Sequence, residues 1–401
     1  MSEKPKGWLD LPAELKIMVV EKCDFITRCN MRISSVSLKS LVDVAKLFIS
    51  SIKIKERTYG VRLEFGFDPL FSHVVKFVKD DENGARVQRR NKEDVLVAND
   101  PIDEALALLS RVCLRKEVTI GYLFLETLRD SDELTLSKKV RAMLEASAPR
   151  LSIRCLFWEM NGDSELGWVV LNHCQKNFLT DIKVYGCVDS PLALFEKGGD
   201  VVRNLNRVEV LAEVRASEED VLSLTADRFH LNLESFTSEM MTKLLDKFIY
   251  EKPVGSFFII KRRDEEPQPF KVPIDFNRID SSERKIAAYS LPLLSGKLVS
   301  LRTGPYGVYA EIGTPAAFQD PNNTLQRDTC LKRKGCACLE PRFLPDDDSS
   351  EFDDFDEVDD DESFDFDDVL HHGGWSDNEI LDESDYDYWE EEGELDDIED
   401  E

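Results

Sequence analysis

The residues best suited to chemistry lie late in the chain. Cys330, Cys336 and Cys338 form a C-x5-C-x-C group, with Lys332, Arg333 and Lys334 inside it. Thiolates at such spacing can ligate zinc, and the adjacent cations can lower a thiol pKa and make it reactive. A structural zinc site takes four ligands, usually as C-x2–4-C pairs, and this group supplies three with no histidine beside it. Cys113 or His173 could complete the set only by folding back, so no metal is assigned. The five histidines (His73, His173, His230, His371 and His372) stand in no HExxH pattern, and neither a Gly-x-Ser-x-Gly nor a phosphate-binding glycine loop occurs. With 80 acidic residues, neighbouring carboxylates identify nothing. The expectation is a chain with no catalytic residue, no metal and no cofactor.

Charge is distributed in two blocks. Segment 346–401 holds 30 acidic residues and no Lys or Arg; removing those from the 80 of the chain leaves 50, against 51 Lys and Arg. The net charge of −29 therefore belongs to the tail and not to the body. Self-repulsion and low apolar content predict a disordered tail over 346–401. Phe352, Phe355, Phe364, Phe366, Trp375, Tyr386, Tyr388 and Trp389 punctuate its acids. That alternation suits a tail that takes up a basic protein such as a histone, or the chain's own basic stretch near Arg86–Lys92. It argues against nucleic acid and anionic membrane as partners. Ser363, Ser376 and Ser384 sit in acidic surroundings that suit phosphorylation.

No apolar run reaches the roughly 18–20 residues that span a bilayer, and MSEKPKGW has no apolar signal core. The nine cysteines, scattered apart from the group at Cys330–Cys338, then read as reduced thiols of cytoplasm or nucleus.

The elements come next. Asp10 can cap a helix that opens on Leu11-Pro12-Ala13-Glu14, with Pro tolerated in the first turn. Leu15, Val19 and Cys23 recur at helical spacing, and Met18 and Val20 widen the stripe. A second short helix runs to Met31. Ser34 or Ser35 caps a third, in which Leu38, Leu41, Val42, Ala45 and Phe48 keep the period. A core this small is marginal alone, and the stripe from Leu11 to Val20 is wider than a three-helix bundle needs.

This stretch resembles the F-box. Leu11, Pro12, Glu14 and Leu15 match its opening Leu-Pro-x-Glu-Leu/Ile, and Val19 and Val20 its following apolar pair. Trp8, Asp24 and Arg28…Met31-Arg32…Ser35…Leu41-Val42 resemble the large nematode F-box families in particular. Cys23 stands where Leu is usual, and Leu38 near a position often held by Trp. The resemblance implies a bundle that docks on a Skp-type adaptor, and through it on a cullin, using Trp8, Leu11, Pro12, Glu14, Leu15, Val19 and Val20. It also implies a following strand–helix domain that holds a protein substrate.

Further along, Val61, Leu63, Phe65 and Phe67 alternate with polar residues, and His73–Val78 makes a second strand candidate before the turn at Asn83-Gly84. The basic cluster Arg86…Arg89-Arg90…Lys92 lacks interleaved aromatics and reads as a solvated loop. From about 117, strand candidates (Val118–Leu125, Leu151–Trp158, Ile182–Cys187, Val208–Val214, Phe229–Leu233 and Phe257–Lys261) alternate with helical stretches over Leu136–Ala148, Leu166–Phe178, Ser217–Leu224 and Thr237–Ile249. A period of about 21–29 residues fits an irregular leucine-rich-like solenoid, and an ordinary α/β layer fits nearly as well. In a solenoid, Arg154, Lys183, Glu209 and His230 would face partners. Asp264–Pro269 reads as a linker, followed by short strands at Lys271–Phe276, Lys297–Arg302 and Gly307–Ile312.

The fold class expected is α+β and multi-domain. An F-box at 8–52 is followed by a strand/loop connector at 53–110, a strand–helix repeat that binds substrate at 111–263, a β-rich appendage at 264–345 and the acidic tail at 346–401. The function expected is the non-catalytic substrate receptor of a Skp–cullin–F-box ubiquitin ligase. The alternative is an acidic scaffold or histone-binding protein with no ligase role.

Overall fold

The structure is a computed structural model. It describes residues 8–314, apart from 9–10, 24, 69–70, 81–83, 90–91, 128–134, 148–149, 162–164, 188–189, 263–269, 274, 281–286 and 294–295. The Cys330–Cys338 group, the linker at 264–269 and the acidic tail lie outside the described residues.

Three helices open the chain: α1 (Ala13–Val20), α2 (Phe25–Ser34) and α3 (Val36–Val44). Pro12 is the N-cap of α1 with no side-chain cap of its own. At α3 it is Ser35, whose hydroxyl accepts the Leu38 N–H at 3.2 Å. The helical spacing that extends to Phe48 in the sequence is overridden. Helix α3 stops at Val44, and β1 (Leu47–Arg57) begins two residues later. Ile49, Ile52 and Ile54 are β-branched and buried, and β1 gains ladders on both sides, with β6 and with β2.

Next comes an antiparallel meander of β2 (Gly60–Asp68), β3 (Phe71–Asp80), β4 (Gly84–Arg89) and β5 (Val95–Val97), then α4 (Pro101–Cys113). The basic cluster is thus corrected: Arg86 and Arg89 belong to a paired strand, because Ala85 and Val87 alternate inward. Helix α4 departs from the strand/loop connector expected over 53–110: Asp100 caps it, Pro101 opens it and Ala105, Leu108, Leu109 and Val112 are buried at helical spacing.

Strands and helices then alternate: β6 (Val118–Glu126), α5 (Thr135–Glu145), β7 (Ile153–Asn161), α6 (Glu165–His173), β8 (Asp181–Cys187), α7 (Leu194–Arg203), β9 (Arg207–Val214), α8 (Glu218–Ser223), β10 (Arg228–Leu233), α9 (Ser238–Glu251) and β11 (Phe257–Arg262). Neighbouring strands from β6 to β11 are all parallel. The chain closes with β12 (Asn277–Asp280), β13 (Ala287–Pro292), β14 (Leu298–Gly304) and β15 (Gly307–Gly313). The described residues of 271–276 form no strand. Phe270, just before them, turns inward against Phe236 beneath the Arg262 guanidinium, 4.1 Å from the ring centroid.

The fifteen strands of the described residues form one sheet in the order β12-β13-β14-β15-β11-β10-β9-β8-β7-β6-β1-β2-β3-β4-β5. What read as an appendage after 264 continues this sheet, with β15 antiparallel to β11. Helices α4 to α9 pack side by side on one face, and their apolar stripes share a single core with the strands. Trp158 of β7 is fully buried in that core, edge-on to Trp168 of α6 with centroids 5.1 Å apart. The indole lies so close to α6 that a Cβ on Gly167 would come within 2.1 Å of it. Burying a large aromatic of this kind is among the larger apolar contributions a core receives. Capping fixes the helix starts: Ser217 and Asp220 form a reciprocal capping box on α8, and Thr237 caps α9. The other face of the sheet carries no described helix.

Candidate docking surfaces

The N-terminal bundle has a very small core of its own. Val20, Val42 and Ala45 are buried, with Trp8, Ile17, Met31 and Leu41 packed around them. Its order depends on one arginine. Arg28 of α2 is buried and donates to three carbonyl oxygens: Cys23 at 3.1 Å, Glu21 at 3.0 Å and Lys46 at 2.6 Å. Those carbonyls lie just past α1 and just past α3, so a single guanidinium ties all three helices together. Charge-assisted bonds of this kind are stronger than neutral ones. The Glu21 carboxylate accepts the Lys46 N–H in the same corner.

The bundle is fixed to the sheet as well. Only Ala45 and Lys46 separate α3 from β1, and Ala45 is buried. Asp43 of α3 accepts from Arg32 of α2 at 2.8 Å and from Arg115, just ahead of β6, at 3.2 Å.

Helix α1 is apolar on more than one side, so a small bundle cannot bury all of it. Val20 is fully buried and Ile17 packs on the core, whereas Leu15, Met18 and Val19 are 45%, 58% and 45% exposed. Of the residues expected to meet an adaptor, Leu15 and Val19 stand outward, with Pro12 and Glu14 exposed at the helix start. Glu14 also sits in the first turn, where an acid complements the helix dipole. Leu11 and Trp8 are half-buried. The indole of Trp8 lies under the Lys16 ammonium, 5.9 Å from the ring centroid. Val20 points inward, so it supports the helix from within and presents nothing to a partner. Met18, the most exposed of the row, was noted in the sequence only as widening the stripe. The signal was there: four consecutive apolar residues, Ile17 to Val20, leave no polar face on a helix two turns long.

The helix-free face of the sheet is the second surface. Strand register aligns Phe157, Lys183, Glu209 and His230 along it on β7 to β10. Three of the four residues expected to face partners therefore share one row, and the fourth, Arg154, is exposed with its guanidinium over Phe48. Phe124, Phe157 and Tyr185 stack in sequence, with centroids 4.9 and 4.8 Å apart. Glu209 is nearly buried. It accepts from Tyr185 at 3.0 Å and Arg207 at 2.8 Å, and Lys183 lies 3.7 Å away. Burial and the Glu209 carboxylate push the Tyr185 phenol far above its ordinary value, so it stays a hydrogen-bond donor. His230 is nearly buried, so it closes the row without projecting. The row sets aromatic rings beside paired charges. Among the described residues no group of three or more His, Cys, Asp or Glu is arranged to hold a metal ion.

Taken together, these elements form a small bundle with an exposed apolar helix face, joined by two residues to a large sheet. Residues 8–50 match the family model of the F-box domain, so the chain carries an F-box domain at this bundle. The match runs from Trp8 into β1, over the same bundle and its anchoring strand. The chain matches no curated protein. An F-box domain implies binding to a Skp-type adaptor and, through it, to a cullin; F-box proteins are in general non-catalytic receptors.

Proposed function

We propose that this chain is the substrate-recognition subunit of a Skp–cullin–F-box ubiquitin ligase. The bundle at 8–52 takes the adaptor, and the strand–helix region at 111–263 takes a protein substrate on the helix-free face of its sheet. The observation that carries the first half is the outward row of Leu15, Met18 and Val19 on a bundle whose own core is already filled. Exposed apolar side chains that line up on one helix are what a helix-in-groove partner buries. The second half is supported by the parallel row with its stacked aromatics, Phe124, Phe157 and Tyr185, set beside fixed charges.

The mechanism is recruitment. No bond is made or broken by this chain; it raises the effective concentration of substrate lysines beside the conjugating enzyme. The two-residue connection and the Arg32–Asp43–Arg115 cluster matter here. They hold the adaptor surface and the sheet in one orientation, so binding energy is not spent on ordering a linker. The test is co-purification of the full chain with a Skp-type adaptor and a cullin, followed by mass spectrometry of what else is held. Stoichiometric adaptor is the result expected; a chain that captures no adaptor overturns the reading.

A further inference from the structure

The helix-free face is not evenly charged. On β1 to β4 it carries Lys53, Lys55, Arg57, Arg62, Lys76 and Arg86 against two acids, Glu64 and Asp80, as the strand registers place them, with Lys53 2.8 Å from Glu64 and Arg86 3.0 Å from Asp80. Lys55 stands opposite Arg62, and Arg62 opposite Lys76, so three cations share one row. Like charges directly across a sheet destabilise it. Burial, and then the charge of Arg62, lower the Lys76 ammonium below its ordinary value. Lys55 and Arg57 share a single carboxylate, Glu126. Further along the face, on β6 to β10, the signs balance: the registers set Glu126, Glu159, Asp181 and Glu209 beside Lys183, Arg207 and Arg228. The basic end also carries apolar residues between its cations: Val74, Val78 and Leu96, the last 65% exposed. A surface that alternates cations with apolar side chains complements a segment that alternates acids with aromatics.

The chain contains such a segment. Residues 346–401 hold 30 acids, no Lys or Arg, and eight aromatics. Its distance is suitable. Gly313 ends β15, eight strand spacings from β2, or about 38 Å at ~4.8 Å each. Residues 314–345 can bridge up to roughly 105 Å at full extension. We propose that the acidic segment 346–401 of this chain docks on the basic end of the helix-free face, over β1 to β4, its carboxylates on the cation row and its aromatic rings against Val74, Val78 and Leu96. An acidic segment from another protein would then have to displace it. This inference does not depend on the ligase reading, since it concerns the isolated chain.

The experiment is zero-length carbodiimide cross-linking of the full-length protein, with mass spectrometry of the linked peptides. The expected result is that tail carboxylates link to Lys53, Lys55 and Lys76, well above the exposed Lys22, Lys39 and Lys46 of the bundle. The links should fall roughly fivefold between about 0.05 and about 0.5 M salt, where screening removes exposed ion pairs. Arg62→Glu with Arg86→Glu leaves all the lysines in place and should produce the same fall at low salt. Links spread evenly over exposed lysines, or unchanged by the charge reversal in a variant of native circular dichroism, would overturn the proposal. A mixture of isotopically heavy and light chains separates occupants: links within one chain support it, and links between heavy and light chains overturn it.

Discussion

Removing the outward row of α1 while leaving its inward side intact should separate adaptor binding from stability. Leu15, Met18 and Val19 are 45%, 58% and 45% exposed. Full burial of such a side chain contributes about 1.5–3 kcal/mol, so the three exposed fractions together represent about 2–4.5 kcal/mol of burial still available to a partner. Leu15→Ala/Met18→Ala/Val19→Ala should therefore weaken adaptor affinity by up to roughly 30- to 1,600-fold, since each 1.4 kcal/mol is tenfold. The folded chain should lose little, because those surfaces are already in water and Ala is the best helix former. Val20→Ala reverses the pattern. Val20 is fully buried beside Val42 and Ala45, so it should cost about 1–3 kcal/mol of bundle stability and reach the adaptor only through that loss. Isothermal titration with purified adaptor gives the affinities, and hydrogen exchange of α1 to α3 gives local stability. A triple variant that binds within threefold of the parent, with exchange unchanged, would refute the claim that this face is the docking surface.

Other outcomes follow from single contacts. Arg28→Met removes donors from the carbonyls of Cys23, Glu21 and Lys46. It should destabilise the bundle by about 2–4 kcal/mol, read as faster amide exchange in α1 to α3 with β6 to β11 unaffected. Gly167→Ala forces a Cβ to 2.1 Å from the Trp158 indole, which should cost about 1–3 kcal/mol or more. The readouts are a lower denaturation midpoint and a changed near-ultraviolet signal from the Trp158–Trp168 pair; an unchanged midpoint would contradict the packing described. Burial raises the thiols of Cys113, Cys155 and Cys174 to about 12, leaving about one thiolate in ten thousand at pH 8. Iodoacetamide at that pH should leave all three unlabelled in the native chain and label them in denaturant, as peptide mass spectrometry will show. Ser35→Ala removes the cap on the Leu38 N–H and should cost α3 about 1 kcal/mol, seen as earlier melting of the bundle.

The sequence by itself determined the parts that rest on local patterns. The Leu-Pro-x-Glu-Leu run with Val19 and Val20 identified the bundle, and the apolar excess of α1 signalled an absent partner. The alternation of β-branched and aromatic runs with helical stretches located β6 and β8 to β11 to within a residue or two, and Ser217 and Asp220 announced α8. Local signals failed where long-range pairing competed with them. Phe48 keeps the helical period of α3, yet Leu47–Arg57 is a strand because β6 and β2 stand on both sides of it. Helix α7 went unread because Gly198 and Gly199 interrupt its pattern, and Gly199 sits at φ 49° where two helical pieces meet. Which side of each strand meets helices was likewise undecidable from sequence, since one residue of register reverses the face. The tertiary structure decided it. Trp158 and Phe258 turn toward the helices, which leaves Lys55, Arg62 and Lys76 in one row on the other side, brought together by residues distant in the chain.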